Sequence, residues 1–396
     1  MREHMAKATF SALHDAMRAQ VDAQFLPCIS TALLQGREVV DRFCYGMADR
    51  EAGIALREHH IFRMFSSTKL VTSCAVMLLL EDGRIALDDP IEAYIPALAK
   101  RQVLRQGAKR IDDTEPAKTS MTIRHLMAHT AGLSYGMFDP GSVLFEAYNR
   151  CGVLHSGKTL AQMIDTLASL PLSFQPGTRW EYSVATDVLA RLVEVIAGTS
   201  FGALLSSRIF EPLDMADTDF WLPPAKIDRL CALYVGVDLM DPSKPGLKRL
   251  DDKPYPGAYT RKTARESGGG GLVSTLPDTV RLLQSLIPGG PTLLRPQTLN
   301  LMWQNQLPPG VCIEFPNRPR EPGHCFSLGS ALTLEAGLGE PAQAIGEVGW
   351  GGLAGTIWWM NPRIGIAAVL MTQRYFGVND PYAFEFKRAA YRALGH

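Results

Sequence analysis

The stretch Met64-Phe65-Ser66-Ser67-Thr68-Lys69 runs into the apolar residues 70–80 and stops at Asp82-Gly83. An apolar run of that length with a glycine at its end predicts a buried helix opening near Ser66 or Ser67. At its start, Ser66 and Lys69 form an S-x-x-K pair. Residues three apart on a helix share a face, so the serine hydroxyl and the lysine amine can meet. A lysine buried beside a hydroxyl can take the serine proton. The helix N-terminus adds free backbone N–H groups suited to a developing oxyanion. With 21 Ser and 12 Lys in 396 residues, about 0.6 such pairs arise by chance, so the pair needs context. A capping serine followed by a surface lysine has the same spacing.

Working outward, the first 27 residues read as a helix, with Phe10, Leu13, Met17, Val21 and Phe25 recurring every three or four positions. Residues 29–34 and 39–45 flank a Gln35-Gly36-Arg37 turn and predict a hairpin. Helical segments alternate with Pro- and Gly-rich loops from about 85 to 265, the clearest being 123–129 and 184–196. After Ser267-Gly268-Gly269-Gly270-Gly271 come a helix over 277–286, a second hairpin over 355–360 and 366–372, and a closing helix over 382–394. Strands at both ends with helices between predict an α/β (α+β) chain. Residues 1–84 and 266–396 would form an antiparallel sheet flanked by terminal helices, and 85–265 a mostly helical insertion. A site belongs in the cleft between the two.

Two further segments supply context. Trp180-Glu181-Tyr182-Ser183-Val184 follows Gln175-Pro176-Gly177 and leads into a helix. A tyrosine at such a junction can project its phenol into a cleft and, beside a lysine, relay protons between nucleophile and leaving group. A tyrosine packed with its hydroxyl bonded is the plainer alternative. Glu347-Val348-Gly349-Trp350-Gly351-Gly352-Leu353 precedes the last hairpin, and its glycines allow a strand edge to approach a ligand. A simple bulge would look alike.

Ser66-x-x-Lys69, Tyr182-Ser183 and Trp350-Gly351-Gly352, in this order, resemble the serine β-lactamase-like superfamily, most nearly the family VIII carboxylesterases related to class C β-lactamases. The resemblance extends to the segment 125–133 (HLMAHTAGL), Phe174-Gln175-Pro176-Gly177, Ile209-Phe210-Glu211-Pro212-Leu213 and Gly269-Gly270-Gly271-Leu272, nearly the whole chain. It implies a β-lactamase-like fold and a serine carboxylesterase for short-chain esters. Ser66 would be the nucleophile, Lys69 and Tyr182 a coupled proton-transfer pair with the base unassigned. Backbone N–H groups of Ser66 and Leu353 would form the oxyanion hole. Trp350, Gly351, Gly352, Tyr135 and Phe138 would contact substrate, with no cofactor and no metal. Tyr135, Phe138 and Trp221 are candidate pocket linings on their aromatic character.

Departures from the penicillin-recognising pattern shape the substrate expectation. The chain has no K-T-G, Val184 stands where an Asn would follow the Tyr, and Trp350 replaces a cationic lysine. Neutral esters are favoured over penicillins, with weak β-lactam hydrolysis a possible side activity. The same chemistry allows an acyltransferase or an amide hydrolase, and a stalled penicillin-binding-like sensor is the reading from outside catalysis.

Two other motifs read as structural. Gly198-Thr199-Ser200-Phe201-Gly202 matches G-x-S-x-G, but a helix rather than a strand precedes it, so Ser200 reads as a helix cap. His125 and His129 lack the glutamate of H-E-x-x-H and any evident third ligand.

Lys plus Arg equals Asp plus Glu at 40 each, which excludes a strongly basic nucleic-acid binder or a charge-held membrane protein. With 46% hydrophobic and 20% charged residues, the composition is that of a packed chain. Seven dispersed cysteines without C-x-x-C, no secretory-type apolar leader and no long uncharged apolar run predict a cytoplasmic protein. The expected partner is a small-molecule ester; the sequence does not fix the oligomeric state.

Overall fold

The computed structural model describes residues 2–239, 241–316, 320–377 and 380–396. Its centre is an eight-stranded antiparallel sheet drawn from both ends of the chain. Across the sheet run His324–Phe326, Ala331–Thr333, Val348–Gly351, Ile357–Asn361, Ile366–Met371, Cys28–Gln35, Glu38–Asp49 and Ile54–Ala55. The first strand pairs with Ile366–Met371 in a register that sets Thr31 opposite Leu370 and Leu33 opposite Ala368.

These two central strands are buried along nearly their whole length, so both faces of the sheet must be covered. Period-two alternation sorts their side chains. Ile29, Leu33, Ala368 and Leu370 pack with Leu13 and Met17 of the helix Arg2–Asp22 and with Phe386 and Tyr391 of the helix Pro381–Ala393. Ala32, Leu34, Ala367 and Val369 face the opposite way, toward Cys74 and Leu78 of the helix Thr68–Glu81 and Leu283 of the helix Leu276–Ser285. The result is a helix–sheet–helix sandwich.

The segment between carries the helices Ile123–Met127, Val143–Arg150, Leu160–Ala168, Ala185–Ala197 and Phe201–Leu205. Thr122, Ser142, Thr159 and Ser200 cap four of them through their hydroxyls. One apolar cluster holds both Val369 of the sheet and Leu126 and Leu189 of this helical segment, so the core is continuous across residues 84 and 265. No single helix among the described residues is long and apolar enough to cross a membrane.

Several boundaries differ from the sequence reading, each for a local reason. The helix expected over 123–129 ends at Met127, because His129 takes a left-handed φ of 56°. The hairpin strand expected from Gly355 begins at Ile357, since Gly355 closes a turn with its N–H on the Gly352 carbonyl and φ at 87°. The helix near Ser66 opens with a 3-10 turn over Phe65–Ser67 before the α-helix starts at Thr68.

A buried charge network ties the last helix to the strand Val348–Gly351. Lys387 bridges Glu347 at 2.7 Å and Glu340 at 2.9 Å, and the Tyr391 hydroxyl donates to Glu347 at 2.7 Å. The terminal helix is therefore both packed and anchored. Phe386→Ala, at a site with no solvent exposure, is expected to lower the unfolding free energy by about 3–5 kcal/mol in chemical denaturation. A loss below about 1 kcal/mol would mean this helix lies outside the cooperative core.

Candidate active site

The short strand Phe62–Arg63 pairs with Val273–Ser274, and the Met64 N–H continues the ladder to the Leu272 carbonyl at 3.0 Å. This pairing lays the glycine run 268–271 against the start of the helix Thr68–Glu81. Thr68 accepts from Leu272 N–H at 3.1 Å, and Thr72 donates to the Gly268 carbonyl at 2.8 Å. The approach leaves no room for side chains: a methyl on Gly268 would sit 2.7 Å from the Thr186 carbonyl oxygen.

From the opposite side the turn after the strand Val348–Gly351 presses on the same place. A methyl on Gly352 would lie 2.0 Å from the Met64 carbonyl oxygen. The Thr356 hydroxyl donates to that carbonyl at 3.0 Å and lies 3.0 Å from the Ser67 hydroxyl. Held between these two contacts, Phe65 has a φ of 43°, a conformation costly for a bulky residue. The strained turn separates the roles of two adjacent serines. Ser67 is buried and tied to Thr356, whereas Ser66 is half-buried and faces a cavity.

At Ser66 the side chains from three distant segments converge. The Tyr182 hydroxyl donates to Ser66 Oγ at 2.7 Å, and Lys69 Nζ donates to the same oxygen at 3.3 Å. Either partner in its basic form reverses the bond and can receive the serine proton. Lys69 is 1% exposed; it also donates to the Gly269 carbonyl at 2.7 Å and stands 4.6 Å from the centre of the Tyr182 ring. The Trp350 indole N–H donates to the Tyr182 hydroxyl at 3.2 Å. Trp350 therefore orients the phenol besides lining the cavity, a contact not evident from sequence.

Tyr182 is embedded in aromatic rings. Tyr135 stacks on it at 5.6 Å, with Phe138, Phe315 and Trp350 around it at 5.5, 5.7 and 5.2 Å. Burial, then the charge of Asp187, push the Tyr135 phenol well above its ordinary range, so it stays neutral. His129 sits under the Tyr182 ring at 5.0 Å. Its Nδ1 accepts from the Ser183 N–H at 3.2 Å, and burial, followed by the Lys69 charge, holds it well below the usual histidine range. His129 is thus a neutral structural imidazole. His125 closes a capping box with Thr122 and packs against Gly177.

The cavity has a volume of about 570 Å³. Ser66, Tyr135, Phe138, Tyr182, Trp350, Gly351 and Leu353 all line it. Two expected positions fall elsewhere. Gly352 lies behind the wall, where its missing side chain permits the contact with Met64. Trp221 lines a separate cavity of about 670 Å³ near Phe210 and Lys262, because the loop carrying it turns away from Ser66. Sequence reasoning also missed Phe315, Tyr375 and Arg265 on the wall and Asp187 beneath it. None carries a motif or periodicity. Ser200 is exposed and caps the helix Phe201–Leu205 by accepting from Ala203 N–H, just after Gly198 ends the preceding helix at φ 69°.

This sheet-and-helix frame, with an S-x-x-K helix start at the cavity, defines the β-lactamase class of fold. The chain belongs to the beta-lactamase family, whose model matches residues 13–392. It is 31% identical to esterase EstB of Burkholderia gladioli, with 95% of each chain covered. It is 27% identical to lovastatin esterase of Penicillium rubens, over 93% of this chain and 96% of that one. Among solved structures it is similar to EstCE1, described as a hydrolase with promiscuous acyltransferase activity, at 25% identity and a TM-score of 0.82 over 98% of this chain and 99% of that one. The chain therefore stands among hydrolases and acyltransferases of the β-lactamase fold.

Trp350→Phe keeps an aromatic ring, though a smaller one, and removes the hydrogen bond to Tyr182. It is expected to lower kcat about 3–10-fold, as for one hydrogen bond, with little change in the order of preference among ester chain lengths. Trp350→Ala should alter that order as well. Equal kcat in Trp350→Phe and wild type, measured on p-nitrophenyl esters, would remove Trp350 from the orientation of the phenol.

Proposed function

We propose that the protein is a serine carboxylesterase that hydrolyses short-chain carboxylic esters through an acyl-enzyme on Ser66. The observation that carries this reading is the convergence of Tyr182 and Lys69 on the Ser66 oxygen at the wall of an aromatic cavity.

In the first half-reaction Ser66 Oγ bonds to the ester carbonyl carbon while its proton passes to the Tyr182–Lys69 pair. The tetrahedral oxyanion is met by the backbone N–H groups of Ser66 and Leu353. Collapse breaks the bond to the alcohol oxygen, which leaves with the proton. Water then attacks the acyl carbon, gives its proton to the same pair, and Ser66 is released protonated with the free acid. Because the phenol and the amine share one hydroxyl, they act as a coupled unit.

Ser66 and Lys69 come from residues 1–84, Tyr182 from 85–265, and Trp350 and Leu353 from 266–396. The site is therefore assembled from all three stretches of the chain. Trp350 in place of a cation, and a wall rich in aromatic rings, favour uncharged, apolar acyl groups over β-lactams. The seven dispersed cysteines, without C-x-x-C, favour a reducing, cytoplasmic setting.

Acyl transfer is the second reading, favoured by the apolar cavity and by the relation to EstCE1. An alcohol in place of water would complete the same cycle with ester exchange. Hydrolysis and exchange are separated by following product acid and product ester in the presence of an added alcohol.

Ser66→Ala is expected to abolish p-nitrophenyl butyrate turnover with the fold intact, while Ser200→Ala leaves the rate unchanged. Lys69→Ala and Tyr182→Phe should each lower kcat by about 100-fold or more. Activity retained in Ser66→Ala would move the nucleophile elsewhere. A burst of p-nitrophenol without turnover by the wild type would instead favour the stalled sensor.

A further inference from the structure

Beneath the cavity lies a carboxylate that the cycle above does not use. Asp187 is on the first turn of the helix Ala185–Ala197 and is 1% exposed. Its Oδ1 accepts from the Ser267 hydroxyl at 2.6 Å. Its Oδ2 is buried with no hydrogen-bond partner. A carboxylate oxygen in that position is costly unless a positive charge stands near it.

The nearby cation is Lys69. A methyl placed on Gly269 would lie 2.6 Å from Asp187 Oδ2 and 3.6 Å from Lys69 Nζ, so one glycine separates the two groups. The carbonyl of that same glycine accepts from Lys69 at 2.7 Å. Thr72 and Thr186, on the two flanking helices, hold Gly268 beside it. The spacing has a chemical consequence. A carboxylate in direct contact would draw the lysine amine away from Ser66. Across a glycine, attraction remains while the N–H groups stay on the Gly269 carbonyl and on Ser66.

We propose that Asp187 is a positioning residue of the Ser66 site, its Ser267-pinned carboxylate serving as the counter-charge that holds the Lys69 ammonium against Ser66 across Gly269. The inference rests on the proposed role of Ser66. The other titratable groups around the pair are consistent with it. Tyr182 and Tyr135 face Lys69 at 4.6 and 5.8 Å, His129 is neutral, and Arg265 binds the carbonyls of Val153, Leu154 and His155. Asp187 pushes the Tyr135 phenol further up, after burial, and Tyr182 is the phenol hydrogen-bonded to Ser66.

The test is steady-state kinetics of the full chain on p-nitrophenyl butyrate. Asp187→Asn, nearly identical in shape, is expected to lower kcat at least about tenfold while KM changes by less than about twofold, because the lost term is electrostatic. Asp187→Ala should recover several-fold in sodium formate relative to sodium chloride at equal concentration, since formate can refill the carboxylate site. Ser267→Ala keeps the charge but removes its hydrogen bond, and kcat should fall by a smaller factor. An Asp187→Asn kcat within about twofold of wild type, or equal responses of Asp187→Ala to formate and chloride, would overturn the proposal. If neither Asp187 variant folds, a Ser267→Ala enzyme with full kcat would overturn it. Ser66→Ala run alongside separates the two levels: activity surviving there defeats the nucleophile assignment, whereas a dead Ser66→Ala with a normal Asp187→Asn defeats only the role of Asp187.

Discussion

The contact on which the site depends is the clamp on the Met64 carbonyl. The Thr356 hydroxyl and the Ser67 N–H both donate to that one oxygen, and Gly352 abuts it from the far side. The clamp fixes the strained Phe65, and through it the direction in which Ser66 leaves the turn. It also joins the first third of the chain to the last, since residues 64–67 and 352–356 meet there. The cavity inherits its shape from this junction, because Trp350 and Leu353 lie on either side of the glycines that make it possible.

Around that junction the protein uses small residues as spacers. Gly268 admits the backbone of the helix carrying Asp187, Gly269 sets the distance between two buried charges, and Gly352 lets its turn close on the Met64 carbonyl. Each position would be closed by one methyl group.

Much of this was legible in the chain. The S-x-x-K pair, the tyrosine before a helix and the Trp-Gly-Gly turn are local patterns, and local patterns survive in one dimension. The hairpins at the two ends were readable from strand-forming runs flanking turn residues, and with them the sheet. Ser200 declared itself a cap because a helix and then a glycine precede it. Other features left no trace. Asp187 looks like any acid in the first turn of a helix, and its importance comes only from Gly269, far along the chain. Trp221 has the composition of a pocket wall but lies on a loop directed to another cavity. The left-handed φ of Phe65 is imposed by tertiary contacts against the preference of the residue.

The pairing of Cys28–Gln35 with Ile366–Met371 has a bearing on how the protein is made. The strand Cys28–Gln35 has as one neighbour a strand made several hundred residues later, Ile366–Met371. At roughly 5–20 residues per second, it waits for tens of seconds with one apolar edge unpaired. The helices of the middle segment, whose contacts are local, can form meanwhile. The central sheet can close only once residues 366–371 have been made. The surroundings of Ser66 thus depend on a pairing between segments at opposite ends of the sheet-forming sequence, 28–35 and 366–371.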